Sequence, residues 1–219
     1  WADPAGWTVK TYTFKPDITR QLLVQTAKGW QYRERQATDS TPGRHTVIPV
    51  THEGHTIWFK CYPEQPGTEY AVWGLSWRIA GGGLMPPLLG VCQRDEHLMA
   101  VQLMPTAPGI TLLEAFHDTP AQVKALSQES FTRHLIRLLF TNPEDDKEDD
   151  YFLAPIEENP TQYRLTRIDY ERAFYAPKEA GTNFLLFQGT PTLNVKSILY
   201  CLNAMADPLD EKVLAEFTR

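Results

Sequence analysis

The sequence predicts an α+β fold, and three observations carry that prediction. Runs of β-forming residues crowd the first half of the chain, one main helical pattern from Thr68 to Ile79 interrupts them, and helical periodicity prevails after Pro105. At 219 residues the chain has room for one large or two small domains with a real core. Its 42% hydrophobic content, with six Trp and ten Phe, marks it as globular.

The net charge of −6 and the lack of a basic cluster argue against a nucleic-acid partner, which would need a basic footprint. Cys61, Cys92 and Cys201 are odd in number, far apart and set in apolar or strand-like surroundings, so buried free thiols are expected and disulfides are not. No paired Cys or His supports zinc chemistry. No apolar run is long enough to span a bilayer and no signal peptide is visible, so a soluble, cytoplasmic protein is expected. Trp1 is no natural start and a helical pattern still runs at Arg219, which suggests a piece of a longer chain with neighbouring domains.

Val9 to Phe14 alternates as a half-buried strand does, and Pro16-Asp17 is expected to open a short helix through Arg20 to Thr26. Gly29 to Arg33 reads as a strand, and Ala37 to Gly43 as a polar loop. Arg44 to Val50 and His55 to Lys60 form a hairpin pattern around Glu53-Gly54. The helical pattern Thr68 to Ile79 carries Glu69 in its first turn and ends at Gly81-Gly82-Gly83, which reads as a helix cap. Leu88 to Cys92 and Leu98 to Met104 are another strand pair. Thr119 to Phe140 is expected to be one helix, with Pro120 near its start and His134 as a satisfied histidine. Ala176 to Gly181 reads as a loop, Leu193 to Met205 as a helix with Val195, Ile198, Leu199 and Leu202 inward, and a final helix follows Pro208.

The acidic stretch Glu144 to Asp150 lies between Asn142-Pro143, which ends a helix, and Tyr151-Phe152-Leu153, which begins an apolar run. It is therefore a helix-to-strand loop. The run around Leu165 and Ile168 suggests a strand that delivers Asp169 at its end. Ser76, Ser127, Ser130 and Ser197 lack the nucleophile-turn context a hydrolase would need.

In this order the features resemble the protein-kinase-like fold, including its divergent bacterial and phosphoinositide-kinase-like branches. An Asp in that family is followed five residues later by a metal-binding Asn, and further on by a metal-binding Asp; the matching positions here are Asp145, Asp150 and Asp169. Ile57-Trp58-Phe59-Lys60 is similar to the strand whose lysine reaches the nucleotide phosphates, with Glu69 as the glutamate that holds it and Glu64 as its competitor. Leu103 to Glu114 is similar to the connector between lobes, which places Met104 at the adenine. The loop from Asp39 to Arg44, with Ser40 and Thr41, stands where a glycine-rich lid is expected. This sequence departs from the family in having no His-Arg before Asp145, Asp at 150, and Tyr170-Glu171 where Phe-Gly is usual.

The resemblance implies a two-lobed molecule: an N-terminal lobe over residues 1–104 with an antiparallel sheet and one main helix, and a short, mostly helical lobe over 105–219. It implies an ATP- and magnesium-dependent phosphotransferase with Asp145 orienting the acceptor, Asp150 and Asp169 on the metal, and Lys60 on phosphate. Alternatives are a pseudokinase-like interaction module and a kinase-fold enzyme that transfers AMP or ligates glutamate. The acceptor, protein or small molecule, has no local signature.

Overall fold

Strand-forming runs in the first part of the chain pair into one antiparallel sheet in the computed structural model, which describes residues 8–14, 20–25, 31–32, 47–52, 55–80, 87–94, 97–144, 146–175, 178–179, 193–194 and 196–218. The strands are β1 (Thr8–Phe14), β2 (Arg20–Gln25), β3 (Gln31–Tyr32), β4 (Val47–His52), β5 (His55–Cys61), β6 (Leu88–Arg94) and β7 (His97–Pro105). They lie in the order β2-β1-β6-β7-β5-β4-β3, every neighbour antiparallel. The helix expected from Arg20 is therefore a strand: β2 pairs with β1 from Val9↔Gln25 to Phe14↔Arg20. Leu22-Leu23-Val24 is too short an apolar run for periodicity to separate helix from strand, and the paired backbone decides.

The β5–β7 register sets the two faces of the sheet. Phe59 lies opposite Leu103 and Cys61 opposite Val101, and all four are buried on one face. Trp58 opposite Met104 and Lys60 opposite Gln102 alternate onto the other face. Helix α1 (Pro66–Ala80) begins with Pro at its first position, has Glu69 in its first turn and Arg78 in its last, and so complements its own dipole. The glycines beyond it lie outside the described residues.

The chain divides into two compact units, Trp1–Tyr70 with Met85–Ala107, and Ala71–Leu84 with Pro108–Arg219. In the first, the connector after β7 is tied back to β5: the Trp58 indole N–H donates to Thr106 Oγ1 at 3.0 Å, and that hydroxyl donates to the Thr56 carbonyl at 3.0 Å.

The second unit opens with β8 (Ile110–Thr111) and α2 (Leu112–Asp118). Thr111 caps the helix reciprocally: its Oγ1 accepts from Glu114 N–H at 3.1 Å, and its own N–H donates to Glu114 Oε2 at 2.8 Å. Strands β9 (Tyr151–Ile156) and β10 (Asn159–Arg167) complete an antiparallel sheet in the order β10-β9-β8. The expected helix from Thr119 to Phe140 is two helices, α3 (Pro120–Lys124) and α4 (Gln128–Thr141). Residues 125–127 leave the helical path to bond β10, with Tyr163 N–H on the Ala125 carbonyl at 3.0 Å and Ser127 N–H on the Tyr163 carbonyl at 2.8 Å. Ser127 then caps α4.

The helix expected over Leu193 to Met205 is also replaced. Leu193–Asn194 forms β12, paired with β11 (Lys178–Glu179) inside the expected loop, and 3-10 turns follow at Ile198–Cys201 and Asn203–Ala206. Leu199 and Leu202 remain buried, because a three-residue spacing keeps them aligned in a 3-10 path. The last helix, α5 (Glu211–Phe217), is capped by Asp210, which accepts from Val213 N–H at 3.0 Å. Leu112, Phe131, Leu138, Tyr151, Leu165 and Leu199 centre this unit's core. Cys61 is a buried free thiol as expected, but Cys201 is exposed, since its turn buries Leu199 instead. Among the described residues no helix is long and apolar enough to cross a membrane.

Gly109 is the residue this connector cannot replace. Its φ is +90°, and a Cβ there would lie 2.0 Å from the Leu153 carbonyl oxygen in β9. Gly109→Ala is expected to cost about 3 kcal/mol or more through clash and backbone strain together, read as a lowered denaturant midpoint; a neutral effect would contradict the packing of residue 109 on β9.

Candidate functional site

Helix α4 delivers the acidic loop. Asn142 ends the helix in the left-handed region at φ 33°, its N–H on the Leu138 carbonyl at 2.9 Å. The loop beyond is laced to the segment around Asp169. Ile168 N–H donates to the Asp150 carbonyl and Glu144 N–H to the Arg172 carbonyl, both at 2.8 Å, while Tyr175 N–H donates to Asn142 at 3.1 Å. Arg172 also pairs with the Glu144 carboxylate. Three of the four non-glycine residues described at positive φ, Asn142, Asp169 and Phe174, fall in these two segments.

The acidic run is not uniformly solvated, because Asp146 is buried. Its carboxylate accepts from the Tyr151 hydroxyl at 3.0 and 3.1 Å and from the Ser197 hydroxyl, and it pairs with Arg167 Nη2 at 3.0 Å. The Arg167 guanidinium lies 4.4 Å from the centre of the Tyr170 ring and 5.7 Å from that of Tyr151. Burial opposes its charge, but Tyr151, Tyr170, Asp146 and Asp150 outweigh that and raise its pKa. Burial likewise holds the Tyr151 phenol well above its usual value, so it stays a donor.

Strand β10 is fastened to α4 at its free edge. Leu165 N–H donates to Ser130 Oγ at 2.9 Å, and the Leu165 carbonyl accepts from His134 Nε2 at 2.9 Å. His134 is then the Nε2–H tautomer, with Nδ1 facing Arg137 Nη1 at 3.3 Å. Burial first, and Arg137 second, push its pKa well down, so the ring is neutral. The satisfied histidine expected from the sequence is what the structure contains.

Asp150 and Asp169 come together at the end of this anchored strand. Asp150 closes the 3-10 turn Glu148–Asp150, with Oδ2 accepting from Lys147 N–H at 3.3 Å. Burial pushes its carboxyl up to about 7; Arg167 opposes the rise, and the negative charge of Asp169 adds to it. Asp169 sits two residues past β10, exposed, at φ 60°, with Oδ1 at 3.5 Å from Glu171 N–H. A carboxylate whose proton affinity is raised by a neighbouring carboxylate suits a divalent cation. No group of three or more His, Cys, Asp or Glu residues able to hold a metal occurs among the described residues. Magnesium fits nonetheless, since it commonly takes one or two carboxylates and completes its shell with phosphate and water.

The other predicted site residues divide between the two units. Lys60 on β5 and Glu69 in the first turn of α1 are both buried in the first unit, Glu64 is exposed, and Met104 is half-buried on β7. Asp145, Ser40 and Thr41 lie outside the described residues. Sequence reasoning missed Asp146 and Arg167 as anchors. An arginine two residues after Leu165, on the same inward face of β10, was the available signal, because a buried arginine needs an acidic partner.

No protein-family model matches the chain, and no curated protein matches it. Among solved structures it is similar to the Helicobacter pylori proinflammatory kinase CtkA, with a TM-score of 0.41, 9% identity, and 65% of this chain and 57% of that one covered. It is also similar to the Cydia pomonella Granulovirus kinase PK-1, with a TM-score of 0.37, 14% identity, and 67% and 52% covered. The likeness is distant. The match spans a little over half the length of those two kinases.

The raised pKa of Asp150 has a definite sign. Its unfolded value is about 4, so between about 4 and about 7 the folded protein holds a proton that the unfolded chain releases. That stability is complete below the window and lost as pH rises through about 7. Without added metal, Asp150→Asn should therefore melt above the parent at pH 8, the gap narrowing toward pH 4; a pH-independent gap would rule out the shift. Asp146→Ala, which strands Arg167, should cost about 3–5 kcal/mol in urea unfolding; a loss below 1 kcal/mol would show that the pair is not the anchor.

Proposed function

We propose that the chain is a divergent ATP- and magnesium-dependent phosphotransferase. The observation that carries this reading is the pairing of Asp150 with Asp169 on a segment laced to the acidic loop. In it, Asp150 and Asp169 are the carboxylates for magnesium, Asp145 orients the acceptor hydroxyl, and Lys60, held by Glu69, meets phosphate. Burial of both Lys60 and Glu69 in one unit supports their pairing, because buried charges of either sign need compensation. Met104 stands at the base, and Ser40 and Thr41 at the phosphate lid. Magnesium, when bound, would supply charge neutralisation for the phosphates. The same residues would serve AMP transfer or glutamate ligation, and the released product separates these from phosphoryl transfer.

A second reading is a pseudokinase-like interaction module. Tyr170 and Glu171 favour it, because both are buried where the family carries Phe-Gly, with Tyr170 packed on Val72 and Ala173. Bound nucleotide should raise the melting temperature by mass action. A rise with ATP that needs magnesium and is lost in Asp169→Asn, which tolerates the left-handed backbone, supports the site; ADP or pyrophosphate release then shows turnover. Binding without turnover selects the pseudokinase, and no shift with either ligand removes the nucleotide reading.

A further inference from the structure

Helix α1 has the usual polarity of a surface helix reversed. The side turned into the protein carries Glu69, Val72 and Ser76, all buried and spaced for one helical face. The outward side carries Gly67, Tyr70, Ala71, Gly74 and Trp77, with Arg78 as its one charge. Trp77 is 64% exposed, more than any other large apolar side chain among the described residues, and it stacks on Trp73 one turn earlier with ring centroids 6.3 Å apart. A helix face in contact with water is ordinarily polar. A projecting indole braced by a second indole has also lost side-chain freedom already, so covering it costs little further ordering.

The same face has room to receive such a ring. A Cβ built on Gly67 or on Gly74 would meet nothing within 4 Å. Projection and recess on one surface are what a self-complementary contact requires. Charge agrees with shape, because Arg78 stands in the last turn and Glu64 is exposed just before the first. When two α1 helices pack antiparallel about position 72, Trp77 of each lies opposite Gly67 of the other, and Arg78 of each comes within reach of the other's Glu64. Their dipoles are then opposed as well. Parallel packing would instead set Trp77 against Trp77 and Arg78 against Arg78. A strongly charged partner would find a single arginine on this face, whereas a second copy finds both halves of each contact.

We propose that the outward face of α1 is the contact between two copies of this chain in an antiparallel, two-fold dimer. One helix face buries less than a standard interface, so the dimer is reversible, with a dissociation constant of about 10–100 µM. The test is sedimentation equilibrium of the whole chain from about 1 to 300 µM, a range that brackets that constant. The parent should pass from monomer to dimer, and Trp77→Ala should weaken association about tenfold or more. Arg78→Glu and Glu64→Arg should each weaken it, and the two together should return it to within about threefold of the parent. All three positions are exposed, so the variants should melt close to the parent. Should Trp77→Ala melt lower through loss of its stacking on Trp73, the charge-reversed pair decides alone. A parent that stays monomeric throughout overturns the proposal, as does a dimer indifferent to a well-folded Trp77→Ala or a double reversal that restores nothing.

Discussion

The buried pair of Asp146 and Arg167 is the constraint on which the second unit depends. A carboxylate and a guanidinium taken out of water lose several kcal/mol of hydration each, and only close geometry with further hydrogen bonds makes the arrangement tolerable. Here Tyr151, Ser197 and Arg167 surround one carboxylate, and two tyrosine rings lie near the guanidinium. The ion pair thereby joins the acidic loop, strand β10 and the turn after β12. A hydrophobic replacement would fill the volume without specifying which loop meets which strand.

The acidic run thus contains carboxylates with opposite roles. Asp146 is balanced by a cation and serves as a strut, whereas Asp150 faces Asp169 and its charge is held back by burial and repulsion. Backbone strain accumulates at Asp169 and Phe174, and the lacing of residues 142–150 to 168–175 holds it in place. Strained backbone persists only where surrounding structure over-determines it.

Much of the framework was legible because it rests on local signals. The β4–β5 hairpin, the capping of α2 by Thr111 and the end of α4 at Asn142 each follow from turn or cap chemistry. Where long-range pairing decides, the sequence is silent: Arg20–Gln25 becomes a strand because β1 lies beside it, and α3 parts from α4 because Tyr163 bonds Ala125 and Ser127. At the candidate site, Asp150 and Asp169 were singled out only through the family resemblance. Asp146 was not, because burial of one carboxylate within a run of six acids and one lysine depends on an arginine 21 positions later in the chain.

The backbone of the acidic loop is also held from far along the chain. Ile198 N–H donates to the Asp146 carbonyl at 3.2 Å, beside the Ser197 hydroxyl on the same residue's carboxylate. Bringing such distant positions together costs loop-closure entropy before any contact repays it. The acidic loop therefore depends on contacts that are non-local in sequence. In the folded chain, the position of the Asp146 carboxylate is thus tied to the turn that buries Leu199.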